Sequence, residues 1–197
     1  KCPLIMMNYE SAELAKLSIN LFLISSITFG NLMDKISSNI GANWEDISRA
    51  LRLDKRIGIY SYIQPGLGLS GGNLERDLKN ITNYTDKNSL EDDYFNNQVK
   101  INSEKKIFPI KRYSIFKKTS KKTNVISILG VVYKDNTDSF KNSPTINLLK
   151  YLQEENDIYV YDKHVKKITG ISNVTFTNSL KSALNFPDVI FIMSPLK

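Results

Sequence analysis

Four short stretches hold side chains whose chemistry goes beyond packing. Lys16 and Asn20 stand four residues apart, so on a helix they stack on one face and present an ammonium and an amide to a single oxygen-rich group. Taken alone, such a pair is more often solvated surface. Pro65-Gly66-Leu67-Gly68-Leu69-Ser70-Gly71-Gly72-Asn73 is a glycine-rich loop whose backbone is free to approach a ligand closely or to take positive φ. A helix starting at its end would offer N–H groups to a phosphate, and the plain alternative is a tight loop capped by Asn73. It is not the dinucleotide fingerprint, because no strand leads into it and its glycine spacing differs. The third stretch, Gly130 to Asp138, follows a strand-like run directly, where open α/β sheets bind their ligands, and its Lys134 and hydroxyl suit phosphate or sugar oxygens. Gly130 is too far from the next helix start for a pyrophosphate turn. Asp162 closes the next strand, in the place of a carboxylate that holds a ribose or of one that caps a turn.

These groups need elements to hold them. From Glu10 to Ile40 apolar residues recur at helical spacing up to Gly41, which predicts one long, mostly buried helix. Asn43 is placed to cap a short helix through Trp44, Ile47 and Leu51, with Glu45 and Asp46 in its first turn. Arg56 to Gly72 reads as an irregular loop, with a new helix beginning near Asn73. Asn80 to Asn97 reads as polar and turn-prone, and Gln98 to Lys118 as a weaker helix interrupted by Pro109. A domain boundary is expected near Lys122. Beyond it the strand-like runs Val125–Leu129, Ile158–Tyr161, Val174–Phe176 and Val189–Met193 alternate with helical patterns opening at Ser143-Pro144 and at Ser179. That alternation predicts a parallel α/β sheet of Rossmann type.

The bulk numbers exclude some classes. The chain has 197 residues, 41% hydrophobic and 24% charged, enough for one core or two small ones. The run Leu17–Phe29 is polar-interrupted and short for a bilayer, so no membrane span is expected. A single cysteine, Cys2, leaves no intrachain disulfide and no cysteine-based metal site, which suits a reducing, cytoplasmic setting. No metal site of any kind is expected. The net charge of +7 is spread out, with one dense run from Lys105 to Lys122. That run reads as a solvated helix face rather than a nucleic-acid site, since no binding motif accompanies it.

In order and separation, four blocks resemble the UDP-glucose/GDP-mannose dehydrogenase family. Ser11 to Asn20 is similar to the start of that family's central helix, and Leu53-Asp54-Lys55-Arg56-Ile57-Gly58 to its Asp-x-Arg-Ile-Gly turn. Pro65 to Asp77 resembles Pro-Gly-x-Gly-Phe-Gly-Gly-Ser-Cys-x-Pro-Lys-Asp. Leu129 to Asp138 with Lys141, Ser143 and Pro144 resembles Leu-Gly-x-x-Phe-Lys-x-x-Thr-Asp-Asp-x-Arg-x-Ser-Pro. The resemblance implies an α/β chain with a helical central dimerisation domain over residues 1–122 and a Rossmann-like nucleotide-sugar-binding domain over 123–197. It implies NAD as cofactor, with the NAD-binding domain outside this chain, a nucleotide-sugar substrate, and a homodimer. On that reading the chain is a fragment.

The resemblance also carries roles residue by residue. Lys16 and Asn20 match the residues that hold the reacting oxygen, and Asp77 the aspartate of the base and water steps. Arg56 matches an arginine reaching the partner's sugar site, Lys134 a lysine near the nucleotide sugar, and Gly68 and Gly71 the substrate loop. Lys141 replaces an arginine, keeping the charge without the planar fork. Family members oxidise a sugar alcohol to a carboxylate through a thioester on cysteine. Asn73 stands at that cysteine's position and is not a nucleophile, and Ser70, Gly72, Glu75 and Arg76 depart from the family pattern around it. Arg56-Ile57-Gly58 and Arg76-Asp77-Leu78-Lys79 look nearer to the UDP-glucose type than to the UDP-N-acetylmannosamine type. The alternatives are a non-catalytic nucleotide-sugar-binding or dimerisation module, an enzyme that stops at the aldehyde, and a polyanion binder.

Overall fold

The structure is a computed structural model describing residues 3–120, 125–132 and 138–194; Cys2 and Lys134 lie outside the described residues. The elements are α1 Tyr9–Ile40, α2 Trp44–Leu53, α3 Asn73–Ile81, α4 Leu90–Lys106, α5 Phe108–Thr119, β1 Val125–Leu129, α6 Pro144–Leu152, β2 Asp157–Tyr161, β3 Val174–Phe176, α7 Leu180–Ala183 and β4 Val189–Ile192. By packing they form two units, residues 1–68 with 73–102, and residues 69–72 with 103–197.

In the first unit α1 is bounded as its residues dictate. The Asn8 side chain accepts from Ser11 N, and Gly41 ends the helix at φ 75 with its N–H on Ser37 O. The expectation of a mostly buried helix is corrected. Asn20, Leu21, Ile24, Thr28, Gly30, Asn31 and Ser37 are buried, whereas Leu14, Phe22, Phe29, Leu32, Ile36 and Ile40 are 40–74% exposed. At 100° per residue those six apolar residues fall on one arc of the helix. The apolar girth is real, but this unit covers only part of it. Among the described residues α1 is also the one helix whose length and mean hydropathy (1.3) are enough to cross a bilayer. Its buried Asn20 and Asn31 are nonetheless bonded within the unit, to Asp77 and to Gly66.

At Gly30 another stretch of the chain passes directly against α1. A Cβ there would lie 2.4 Å from Ile63 O, the same carbonyl that accepts from Trp44 Nε1 at 3.2 Å. Asn31 Oδ1 accepts from Gly66 N at 2.9 Å, so consecutive α1 residues hold the segment leading into the glycine loop. α2 starts at the expected cap, Asn43 accepting from Glu45 N at 2.9 Å. α4 corrects the reading of Asn80–Asn97, because the helix already begins at Leu90. Ser89 Oγ accepts from Asp92 N at 3.1 Å and Glu91, Asp92 and Asp93 fill the first turn, a strong N-terminal signal hidden in polar composition. Tyr94 and Gln98 then donate to Ser25 Oγ on α1 at 3.0 and 3.1 Å. The helical pattern breaks at Ile107, and Pro109 sits in the first turn of α5, where its missing N–H costs nothing.

The second unit holds a four-stranded sheet in the order β3-β2-β1-β4. All neighbours are parallel, with Ile126 opposite Ile158 and Val189, and Ile158 opposite Val174. The central strand β1 is buried along nearly its whole length, as expected when helices cover both faces of a parallel sheet. Ser143 caps α6 and Pro144 opens it, as the sequence predicts. Leu148, Leu149 and Leu152 of α6 form one cluster with Ile126, Ile128, Ile158, Val160 and Tyr113 of α5. Leu148 is fully buried, and truncating such a side chain to Ala costs about 2–5 kcal/mol.

Candidate functional site

The first unit assembles two of the sequence-marked residues. Asn20 Nδ2 donates to Asp77 Oδ2 at 2.6 Å, a buried contact between residues 57 apart in the chain. Arg76 Nε donates to the other oxygen, Oδ1, at 2.9 Å, and its Nη2 lies 2.9 Å from the same atom. Both carboxylate oxygens are therefore engaged. Lys16, one turn before Asn20 on α1, is exposed and makes no hydrogen bond or ion pair among the described residues. Asn73 is the first residue of α3 rather than the residue before it, and it is exposed. Four residues separate it from Asp77, so both project from one face of α3. Asn73 thus stands one turn from the paired carboxylate.

Arg56 is not brought to this group within the unit. Its guanidinium turns back onto Asp54, with Nε to Oδ1 at 3.0 Å and Nη2 to Oδ2 at 2.6 Å. That fork holds the Asp54 carboxyl below the usual range and raises Arg56. Gly68 has φ 88, a conformation that excludes most other residues.

In the second unit Gly71 has φ 83, and its N–H donates to Lys141 O at 2.9 Å. Asn142 Nδ2 donates to Gly71 O at 2.8 Å. A Cβ on Gly72 would meet Lys141 Nζ at 3.3 Å, so the lysine stem lies along the loop and leaves an exposed cation beside it. Asp162 proves to be a turn cap rather than a ribose ligand. Its Oδ2 accepts from Val131 N and Val132 N at 2.6 and 3.1 Å, and its Oδ1 from His164 N and Val165 N at 2.8 and 2.9 Å. Burial pushes this carboxyl up, and the four backbone N–H groups pull it down further, so it settles below its ordinary value.

Sequence reasoning missed the part Arg76 plays, because neighbours i and i+1 on a helix do not face each other, yet the Arg76 side chain reaches Asp77. It also missed Asn142, whose amide pins Gly71 from 71 residues away; no local pattern signals that.

Helical residues precede a parallel, Rossmann-like sheet, with an amide–carboxylate pair in the first unit and a cation beside a glycine loop in the second, and together they define an α/β protein. Comparison gives the class a family. The central-domain model of the UDP-glucose/GDP-mannose dehydrogenase family matches residues 10–104, and that family's UDP binding domain matches residues 127–197. The chain belongs to the UDP-glucose/GDP-mannose dehydrogenase family. A UDP-glucose 6-dehydrogenase of Rickettsia felis is 28% identical over 92% of this chain and 42% of its own length. One from Campylobacter jejuni is 32% identical over 82% of this chain and 40% of its own. The chain therefore spans about two fifths of these curated relatives. Among solved structures, a UDP-glucose dehydrogenase from Pyrobaculum islandicum shares the fold with a TM-score of 0.86 at 23% identity, covering 98% of this chain and 45% of that one. A UDP-D-ManNAc dehydrogenase from Pyrococcus horikoshii does so with 0.75 at 22%, covering 95% and 42%.

Proposed function

We propose that this chain is the nucleotide-sugar-holding and dimer-forming part of a dehydrogenase of the UDP-glucose type, with its covalent chemistry removed at Asn73. Residues 1–122 serve as the central dimerisation domain and residues 123–197 as the nucleotide-sugar domain, in agreement with the two matched family regions. The observation that carries the reading is the buried Asn20–Asp77 bond. It keeps the oxygen-handling side chains ordered beside the helix start where the family's nucleophile belongs.

Within that reading Lys16 is the free cation that meets the developing negative oxygen, and Lys134 and Lys141 meet the ligand's phosphate and sugar oxygens. Arg56 serves the partner subunit's site. Asn73 cannot form a thiohemiacetal or a thioester, so oxidation to the acid does not proceed through the covalent route. Arg76 adds a second obstacle, since its guanidinium occupies the Asp77 oxygen that Asn20 leaves open to a substrate or water. This last contact favours the second reading, a non-catalytic nucleotide-sugar-binding module. NAD, which the resemblance implies, does not fit the 130–132 turn of this sheet, whose N–H groups are bonded internally.

The exposed arc of α1, from Leu14 through Phe22, Phe29, Leu32 and Ile36 to Ile40, supports a homodimer, and a cytoplasmic rather than membrane setting follows from that use of the helix. The test is product analysis on the whole protein with UDP-glucose and NAD. The reading expects no UDP-glucuronate and no protein-bound sugar by mass spectrometry. Steady production of the acid would overturn it.

A further inference from the structure

Each backbone N–H from Gly130 to Val132, the described residues that follow β1, is already committed. Gly130 N donates to Tyr161 O at 2.9 Å, and the Val131 and Val132 N–H groups donate to one oxygen of Asp162. The acceptors there are used as well: Gly130 O takes Thr145 Oγ1 at 3.3 Å and Val131 O takes Ser143 Oγ at 2.8 Å. The other Asp162 oxygen holds His164 N and Val165 N across the turn after β2. The side chain is 4% exposed, and Lys166 Nζ closes over the same residue on its backbone oxygen at 2.7 Å.

In open parallel sheets that hold a dinucleotide, the N–H groups of the turn after the first strand receive the pyrophosphate. We infer that Asp162 is an internal anion seated in that place, so that the Gly130, Val131 and Val132 N–H groups receive no phosphate and the sheet holds any nucleotide ligand by other groups. A free phosphate would have to displace a carboxylate tethered a strand length away, at high effective concentration. It would also strand that carboxylate in a buried position without its donors. The arrangement fits a sheet that kept the parallel topology and gave up the dinucleotide seat. Removing the carboxylate uncovers a latent oxyanion site: four N–H groups converge on the vacated position, with Lys163, His164 and Lys166 in the adjoining turn.

The experiment follows amide signals of the whole chain by NMR, with exchange protection read at Val131, Val132, His164 and Val165. In the wild type, pyrophosphate leaves these four signals where sodium chloride of equal ionic strength leaves them. In Asp162→Ala, inorganic phosphate shifts all four saturably. In Asp162→Asn, one amide pair keeps an oxygen while the other faces an NH2 group. Protection therefore falls on the order of tenfold or more at one pair only, the loss of a hydrogen bond to a charged group. Saturable shifts of Val131 and Val132 by pyrophosphate in the wild type would overturn the inference, and this arm decides even where a variant fails to fold. So would a folded Asp162→Ala chain whose four amides ignore phosphate, or an Asp162→Asn chain with both pairs unchanged.

Discussion

Replacing Asn20 by Ala removes the amide that donates to Asp77 Oδ2 at 2.6 Å. Asp77 is 8% exposed, so water is a poor substitute for the lost donor. A hydrogen bond to a charged acceptor contributes about 1.5–3 kcal/mol. Arg76 still holds Oδ1, which keeps the carboxylate from being orphaned and places the expected loss at the low end, about 1.5–2 kcal/mol. A urea melt of the chain then shows the unfolding constant rising about 10- to 30-fold. Asp77→Ala leaves the Asn20 amide buried without its acceptor and costs a similar amount, about 1–3 kcal/mol. Because the two losses share one bond, the double variant is less damaged than the sum of the singles by about 1.5 kcal/mol. A coupling energy below about 0.5 kcal/mol would refute the reasoning, since α1 and α3 would then touch at the site without locking it.

Gly30→Ala sets a Cβ 2.4 Å from the Ile63 carbonyl oxygen; the expected cost is about 1–3 kcal/mol, with a shift in the fluorescence of Trp44, the chain's single tryptophan. Asp162 has a folded-state pKa below its unfolded value, so its stabilisation is complete above the unfolded value of about 3.9 and is lost as pH falls through the folded one. Melts below about pH 4 should lose stability more steeply in the wild type than in Asp162→Asn. Phe22 and Ile36 lie on the exposed arc of α1; sedimentation should show a dimer at micromolar concentrations and a folded monomer for Phe22→Asp with Ile36→Asp. A wild-type monomer there would remove the case for dimerisation through this helix.

The sheet unit was legible because each strand is a short apolar run closed by a turn residue, and because Ser143-Pro144 is an unambiguous helix start. α4 was misread because Leu90–Asn97 is rich in Asp and Asn, residues that favour turns in isolation, whereas Ser89 turns the same acids into a favourable first turn. Burial of α1 was overestimated because periodicity reports how much of a helix is apolar, not how much of it one unit covers. At the site, Lys16 and Asn20 were visible from their spacing, but they part in the structure, one exposed and one buried against Asp77. The two readings of Asp162 differed only in what met its oxygens, and that partner, the Val131–Val132 backbone, comes from some 30 residues upstream. Long-range pairings of this kind leave no mark on local sequence.

Calorimetric titration of this chain with UDP-glucose, with UDP and GDP-mannose as controls, tests the central claim most directly. The account predicts saturable binding of UDP-glucose that weakens in Lys141→Ala and persists unchanged in Asn73→Ala, because Asn73 takes no part in holding the ligand. A folded chain that shows no heat of binding to any of the three would contradict it.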